Sequence, residues 1–373
     1  MDLYALLALC SRAQMPPALH DRLRQAAARI QSWDNLSDAA ELHGVAPLVH
    51  AHLSFGDAMP PTARRTLGAL ALRHERAATA REHALADVLA LYAHAGIDVL
   101  LLKGAALAQL VYARPGLRPM RDVDLLVREG DAERAWRLLA QANFTLPSSP
   151  ADGAPPGHHH LATASRLSDG LTVSVEIHRA VWLNEPRRAR RRYDDLAAGA
   201  ITFEIDGVTA RAPAREEILW HVYRHAFCMP LGYEPLRLVW VADLVSLVEC
   251  WASTLDWDLV KRRYPAVWRI LPLLDPLTPW TDAVRLHLSP LPAGAVRSTA
   301  DEIVATWPRF IPDRPLARSL ARIARLIVAP PVWWAQVRYG ADGTRAGAAQ
   351  AWLRHQWTAW TQAARYLTRP AGR

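Results

Sequence analysis

Asp122 and Asp124 stand two residues apart in the run Arg118-Pro119-Met120-Arg121-Asp122-Val123-Asp124-Leu125-Leu126-Val127. Side chains two apart on a β-strand share a face, so their Cβ atoms lie about 6.6 Å from each other, close enough to chelate one ion or bridge two. Two carboxylates beside a buried apolar strand are costly unless a cation neutralises them. Magnesium, with manganese as its stand-in, is the natural cation, because it takes oxygen ligands and arrives with phosphates. Phosphoryl and nucleotidyl transfer often use two such ions about 3.5–4 Å apart, which calls for a third carboxylate. Glu176 suits that position. It lies on the polar face of Leu171–His178, where Val173, Val175 and Ile177 alternate with Ser174, Glu176 and His178. His178 faces the same side and reads as a hydrogen-bonding support for the acidic group.

A second feature lies upstream. Ile97 to Leu102 is a continuous apolar run that ends in Lys103-Gly104 and turns into a short helix expected over 105–112. Such a strand-to-helix corner leaves backbone N–H groups free to meet an anion, and Lys103 adds a cation.

The elements that must position these residues follow from periodicity. The first 95 residues carry helical spacing, with Pro60-Pro61 opening a long helix that Gly96 closes. The residues from 113 to 121, with Pro115, Gly116 and Pro119, form a loop into the strand Asp122–Val127, and a helix is expected from Gly130 to Asn143. The segment from Pro147 to Gly157 reads as a surface loop, and Ile201–Ile205 and Val208–Ala212 flank an Asp206-Gly207 hairpin turn. From Pro213 onward the chain is helical again. The expected division is a helical region over 1–95, a mixed α/β core over 96–212 and a helical region over 213–373.

Composition bounds the remaining classes. With 51% apolar and 21% charged residues, the 373-residue chain is globular rather than disordered. Its longest apolar runs fall far short of the roughly 18–20 residues a membrane span needs, so no transmembrane segment is expected. The N-terminus has no basic opening or small-residue cleavage site, which leads to a cytoplasmic expectation. Cys10, Cys228 and Cys250 have neither disulfide nor zinc spacing and read as small buried hydrophobes. The net charge of +8 is concentrated at one end, since Arg309 to Arg373 holds eleven arginines against Asp313 and Asp342. The region of Asp122 and Asp124 is therefore close to neutral. Only Lys103 and Lys261 are lysines.

Taken together, Leu102-Lys103-Gly104, Tyr112, Gly116 to Val127 and Val175-Glu176-Ile177-His178 resemble the uncharacterised bacterial nucleotidyltransferases of the polymerase-beta superfamily. A later stretch, His221 to His225 with Arg237-Leu238 and Ala242-Asp243-Leu244, is similar as well. The resemblance implies an α+β fold, a small mixed β-sheet nucleotidyltransferase core flanked by N-terminal and C-terminal helical regions. It implies metal ligation by Asp122, Asp124 and Glu176, phosphate contacts from Lys103 and Gly104, and a pocket lined by one histidine of the His158-His159-His160 run, His160. The superfamily places Gly-Ser or Gly-Gly at the phosphate corner, whereas this chain has Gly104-Ala105 and lacks the hydroxyl. Arg118 and Arg121 are candidates to compensate as phosphate forks.

The expected reaction is Mg²⁺-dependent transfer of a nucleotidyl group from a nucleoside triphosphate to a hydroxyl acceptor, whether a small molecule, a peptide or a tRNA. Two alternatives stand beside it: a tRNA nucleotidyltransferase toxin of the abortive-infection type, and an inactive nucleotide-binding accessory protein of a biosynthetic cluster, which Ala105 favours. The histidine run with His178 also admits a weak zinc reading. The arginine cluster from 187 to 192 reads as a solvated helix face. Leu353, Trp357, Trp360, Ala364 and Leu367 keep helical spacing, with core packing as the expectation and a membrane or nucleic-acid contact as the alternative.

Overall fold

The computed structural model describes residues 2–54, 59–152, 158–182, 191–229, 237–288 and 328–367. Residues 153–157 of the expected surface loop, 187–190 of the arginine cluster, and the arginines from 309 to 325 lie outside the described residues.

The helices in chain order are α1 (Asp2–Leu9), α2 (His20–Ala28), α3 (Leu36–Leu42), α4 (Ala46–Leu53), α5 (Pro61–His94), α6 (Lys103–Leu110), α7 (Ala132–Leu138), α8 (Tyr193–Ala197) and α9 (Arg215–Phe227). They continue with α10 (Leu238–Cys250), α11 (Trp257–Arg263), α12 (Pro265–Leu274), α13 (Asp282–Arg285), α14 (Val332–Tyr339) and α15 (Arg345–Leu367). The strands are β1 (Val99–Leu101), β2 (Asp122–Val127), β3 (Ala164–Ser168), β4 (Leu171–His178), β5 (Ile201–Ile205) and β6 (Val208–Ala212). The fold is α+β, with small sheets among many helices. It divides into two compact units, one of residues 13–15 and 32–221, the other of residues 1–12, 16–31 and 222–373.

In the first unit a four-stranded sheet runs in the order β1-β2-β4-β3. β2 is antiparallel to β1 and parallel to β4, while β3 returns antiparallel along β4. Strand β2 is buried on both faces, which is why Val123, Leu125, Leu126 and Val127 read as a nearly unbroken apolar run. β5 and β6 form a separate hairpin. Asp206 and Gly207 both take left-handed backbone angles, as the tight turn of a twisted hairpin requires.

The 34-residue α5 is the backbone of this unit. Pro60 and Pro61 sit where a proline costs no helical hydrogen bond, and Gly96, one residue past the last helical turn, has φ +66°. It buries Leu67, Ala78, Leu85, Val88, Leu89 and Tyr92 on one side and Ala80 and Ala84 on another, as a helix surrounded by the rest of its unit would. The Tyr92 hydroxyl donates to the Ala135 carbonyl at 2.9 Å, and Arg81 Nη1 donates to the Met120 carbonyl at 3.2 Å, bracing the loop that enters β2. Gly116 in that loop passes so close to α5 that a Cβ would lie 2.8 Å from Glu75 Cα.

Several boundaries differ from the sequence expectation. β1 is three residues long: Leu102 still donates its N–H to the Asp124 carbonyl at 3.0 Å but is already the N-cap of a helix that begins at Lys103, two residues early. The helix expected from Gly130 to Asn143 is a seven-residue α-helix between 3₁₀ turns, stopped by Asn143 at φ +63°. The helix expected to start at Pro213 begins at Arg215, two residues later.

In the second unit α10 is almost wholly buried, from Leu238 to Val248. Arg12 is buried beside it and donates to Glu249 Oε1 at 2.9 Å and to the Pro279 carbonyl at 2.9 Å. Trp333 of α14 is buried and donates to the Leu273 carbonyl at 2.7 Å. The expectation that Leu353, Trp357 and Trp360 pack into the core is corrected here: they are 62%, 74% and 73% exposed. α15 packs through the opposite face, where Ala351, His355 and Ala359 are buried and Tyr339 Oη lies 3.2 Å from His355 Nδ1.

Candidate functional site

Strand register builds the site. Parallel pairing sets Asp122 opposite Ser174, Asp124 opposite Glu176 and Leu126 opposite His178. Because the pleat puts alternate residues on one face, Asp122, Asp124, Ser174, Glu176 and His178 share the same side of the sheet, while Val123, Leu125, Val175 and Ile177 are buried on the other.

Asp124 is the centre. It is buried, and its Oδ1 accepts from Lys103 Nζ at 2.9 Å and from His178 Nε2 at 2.7 Å. Burial would push this carboxyl up, but the Lys103 ammonium and the His178 hydrogen bond hold it well below the ordinary aspartate range. The partners respond in kind. Burial works against the charged forms of Lys103 and His178, yet Asp124 raises both above their usual values, with help from Glu176.

Glu176 Oε1 accepts from Thr163 Oγ1 at 2.9 Å, while its Oε2 lies 3.5 Å from His160 Nε2 and 3.8 Å from His178 Nε2. Burial favours the protonated acid, but these imidazoles keep it below the usual glutamate value. His160 and His178 meet through an isolated antiparallel bridge, which is how the histidine run reaches the sheet. His160 Nδ1 donates to the Leu161 carbonyl at 2.8 Å, which fixes the ring with Nε2 on the Glu176 side. Burial pushes His158, His159 and His160 down toward the neutral form, and their rings pack within 4.2–4.8 Å of one another.

Asp122 behaves differently from Asp124. Burial first, then the charges of Asp124 and Glu176, push its carboxyl up to about 6. Among the described residues, the set whose ligand atoms all lie within 4.8 Å of one another is Asp124, Glu176 and His178, and Asp122 stands outside it. His178 thus joins the two carboxylates in the place where the sequence set Asp122.

The helix corner is tight. Lys103 takes φ +48° as the first residue of α6, a conformation that costs a side chain of this size on the order of 1 kcal/mol. Gly104 is buried, and a Cβ there would lie 2.6 Å from Arg118 Nη1, so glycine is what lets Arg118 cross the corner. Arg118 is buried and donates to the Pro119 carbonyl at 2.8 Å, whereas Arg121 is exposed. Ala105 is buried, so the corner offers no side-chain hydroxyl at that position.

Two participants carry no sequence signal. Thr163 precedes β3 as an ordinary loop residue, and Arg81 is one of many arginines on α5. Arg81 stands near Arg118, and burial and then that like charge push it down to about 10.

The raised Asp122 carboxyl has a measurable consequence. An acid whose folded value exceeds its ordinary one destabilises the fold as it ionises, so the penalty is absent below about pH 4 and complete above about pH 6. Asp122→Asn in chelator is therefore expected to gain on the order of 1–3 kcal/mol of stability at pH 8 and nothing at pH 4. Thermal unfolding at the two pH values checks this, and a variant less stable than the parent at pH 8 would contradict it.

No curated protein matches the chain. Two solved structures resemble parts of it at low TM-score. One is the solution structure of the antibiotic-resistance factor ANT(2'')-Ia, at 14% identity, covering 46% of this chain and 84% of that one with a TM-score of 0.32. The other is an antigenic nucleotidyltransferase-like protein from Paracoccidioides brasiliensis, at 15% identity, covering 55% of this chain and 96% of that one with a TM-score of 0.35. Residues 29–267, which include every site residue above and well over half of the chain, match the family model described as an uncharacterised nucleotidyltransferase, and the chain belongs to that family.

Proposed function

We propose that the protein transfers a nucleotidyl group from a nucleoside triphosphate to a hydroxyl-bearing acceptor, with a divalent cation, Mg²⁺ or Mn²⁺, at the Asp122–Asp124–Glu176 face. The observation that carries this reading is the pairing of Asp124 with Glu176 on adjacent parallel strands, with Asp122 on the same face. The donor set suits a cation. Asp124, Glu176 and His178 bring oxygen and nitrogen atoms within 4.8 Å of one another, and the Asp122 carboxyl, pushed up to about 6, is short of positive charge. When bound, such an ion would lower the pKa of an attacking hydroxyl and neutralise phosphate charge.

The chain's own residues do the rest. Lys103 and His178 hold Asp124 ionised and fixed in orientation, while Thr163 fixes Glu176. Lys103, the Gly104 corner and Arg118 are the groups proposed to meet the triphosphate, with Arg121 at the exposed rim and His160 lining the pocket. The 96–212 segment is the proposed catalytic core, between helical regions 1–95 and 213–373. Among the described residues no helix is long and apolar enough to cross a membrane.

A second reading, a nucleotide-binding protein without turnover, draws support from Lys103, whose ammonium already neutralises Asp124. Incubation with each α-³²P-labelled nucleoside triphosphate, Mg²⁺ or Mn²⁺, and a mixture of tRNA and cell metabolites separates the two. Label transferred to any acceptor and lost in Asp124→Asn supports the enzyme. Metal-dependent nucleotide binding with no transfer supports the accessory protein, and absence of both would overturn the assignment.

A further inference from the structure

α15 has two apolar faces. Ala351, His355 and Ala359 fasten it to the body of its unit, with the His355 ring also against Trp334 at 5.3 Å between centroids. On the opposite side Ala346, Ala349, Leu353, Trp357 and Trp360 follow one another at three- and four-residue steps, and all are exposed. Single exposed apolar residues are ordinary, but a continuous stripe of one leucine and two tryptophans, with Trp352 46% exposed beside it, is not. At 1.5 Å per residue the stripe runs straight for about 20 Å along the helix.

Charge narrows the occupant. From Arg345 to Arg373 the sequence contains Arg345, Arg354, Arg365, Arg369 and Arg373 and no acidic residue. Arg345 and Arg354 are exposed and flank the stripe. A second copy of the helix would set arginines against arginines with no carboxylate to answer them. A nucleic acid would satisfy the arginines and stack on tryptophan, but Leu353, Ala346 and Ala349 have no π-face to offer between them. An anionic lipid surface satisfies both features at once: tryptophan and leucine enter the boundary between headgroups and acyl chains, and arginines remain at the phosphates.

We propose that the outward stripe of α15, Leu353, Trp357 and Trp360 flanked by Arg345 and Arg354, docks this protein peripherally on an anionic membrane. The full chain is expected to co-sediment with equimolar phosphatidylglycerol–phosphatidylcholine vesicles and not with pure phosphatidylcholine, and to be released in large part by about 0.5 M salt. Trp357→Ser/Trp360→Ser should weaken partitioning by about tenfold or more, and Arg354→Gln should weaken it by a few-fold, only on the anionic vesicles. Because the three apolar residues face solvent, both variants should melt within a few degrees of the parent.

Failure to partition at low salt would overturn the proposal. So would a Trp357→Ser/Trp360→Ser protein that melts far below the parent, since the face would then be covered within the native protein. Loss of tRNA binding with vesicle binding intact would reassign the face to nucleic acid, and loss of a concentration-dependent dimer would reassign it to a second copy. None of these outcomes depends on the nucleotidyltransferase site.

Discussion

Asp124→Asn is expected to abolish nucleotidyl transfer and to destabilise the fold, by two separable routes. Removing the central carboxylate takes away a proposed ligand, and the cation it would hold is worth several kcal/mol in a charged transition state, where about 4 kcal/mol corresponds to a thousandfold or more in rate. The stability loss has another origin. Lys103 Nζ and His178 Nε2 both converge on Asp124 Oδ1, and all three groups are buried or nearly so. Breaking a buried pair from one side leaves its partner charge uncompensated, at a cost of about 3–5 kcal/mol, reduced here because asparagine still accepts a hydrogen bond and His178 can become neutral. About 2–4 kcal/mol is expected.

The pH dependence identifies the cause. Asp124 lies below its ordinary value, so its contribution is present above about pH 4 and disappears as pH falls through its folded value. His178 lies above its ordinary value, so its contribution is complete below about pH 6.5 and disappears as pH rises through its folded value. The stability gap between parent and Asp124→Asn should therefore be widest between about pH 5 and 6.5 and narrower at pH 9. Chemical unfolding across that range measures it. A variant as stable as the parent at pH 6 would remove the ion-pair account, and one that keeps activity within tenfold would remove Asp124 from the proposed chemistry.

Glu176→Gln should separate function from stability. Glutamine has the same length, and its amide oxygen can accept the Thr163 hydrogen bond that Glu176 now receives. What disappears is one negative charge facing His160 and His178. Stability should change by less than about 1 kcal/mol, since the group is only partly buried and its hydrogen bond survives. Turnover should fall by a factor of about 10²–10³, and Mn²⁺ affinity, followed by electron paramagnetic resonance, should fall with it. Glu176→Asp tests placement, because the charge returns but the carboxylate is withdrawn by one methylene, and only partial recovery is expected. If Glu176→Gln binds Mn²⁺ as tightly as the parent, Glu176 is not a ligand.

Much of the frame was legible because it is written locally. The alternation of Val173, Val175 and Ile177 with polar neighbours, the Asp-x-Asp strand, and Asp206-Gly207 between two short apolar runs each depend on residues within one element. All three appear with the boundaries the pattern implies. Alternation also shows which residues of a strand share a face, so Asp122 with Asp124, and Glu176 with His178, could be grouped without a fold. What one strand meets on the next depends on register, a long-range choice between alternatives that look alike in sequence. Parallel pairing of β2 with β4 placed Glu176 opposite Asp124 and brought His178 within hydrogen-bonding distance of Asp124, leaving Asp122 outside the tightest group. The partner of Lys103 was decided the same way, by a left-handed turn and a buried carboxylate 21 positions away. α15 makes the same point on a helix. Periodicity correctly announced an apolar stripe, but the helix carries two, and only the packing of Ala351, His355 and Ala359 against the rest of its unit determined that Leu353, Trp357 and Trp360 would face outward.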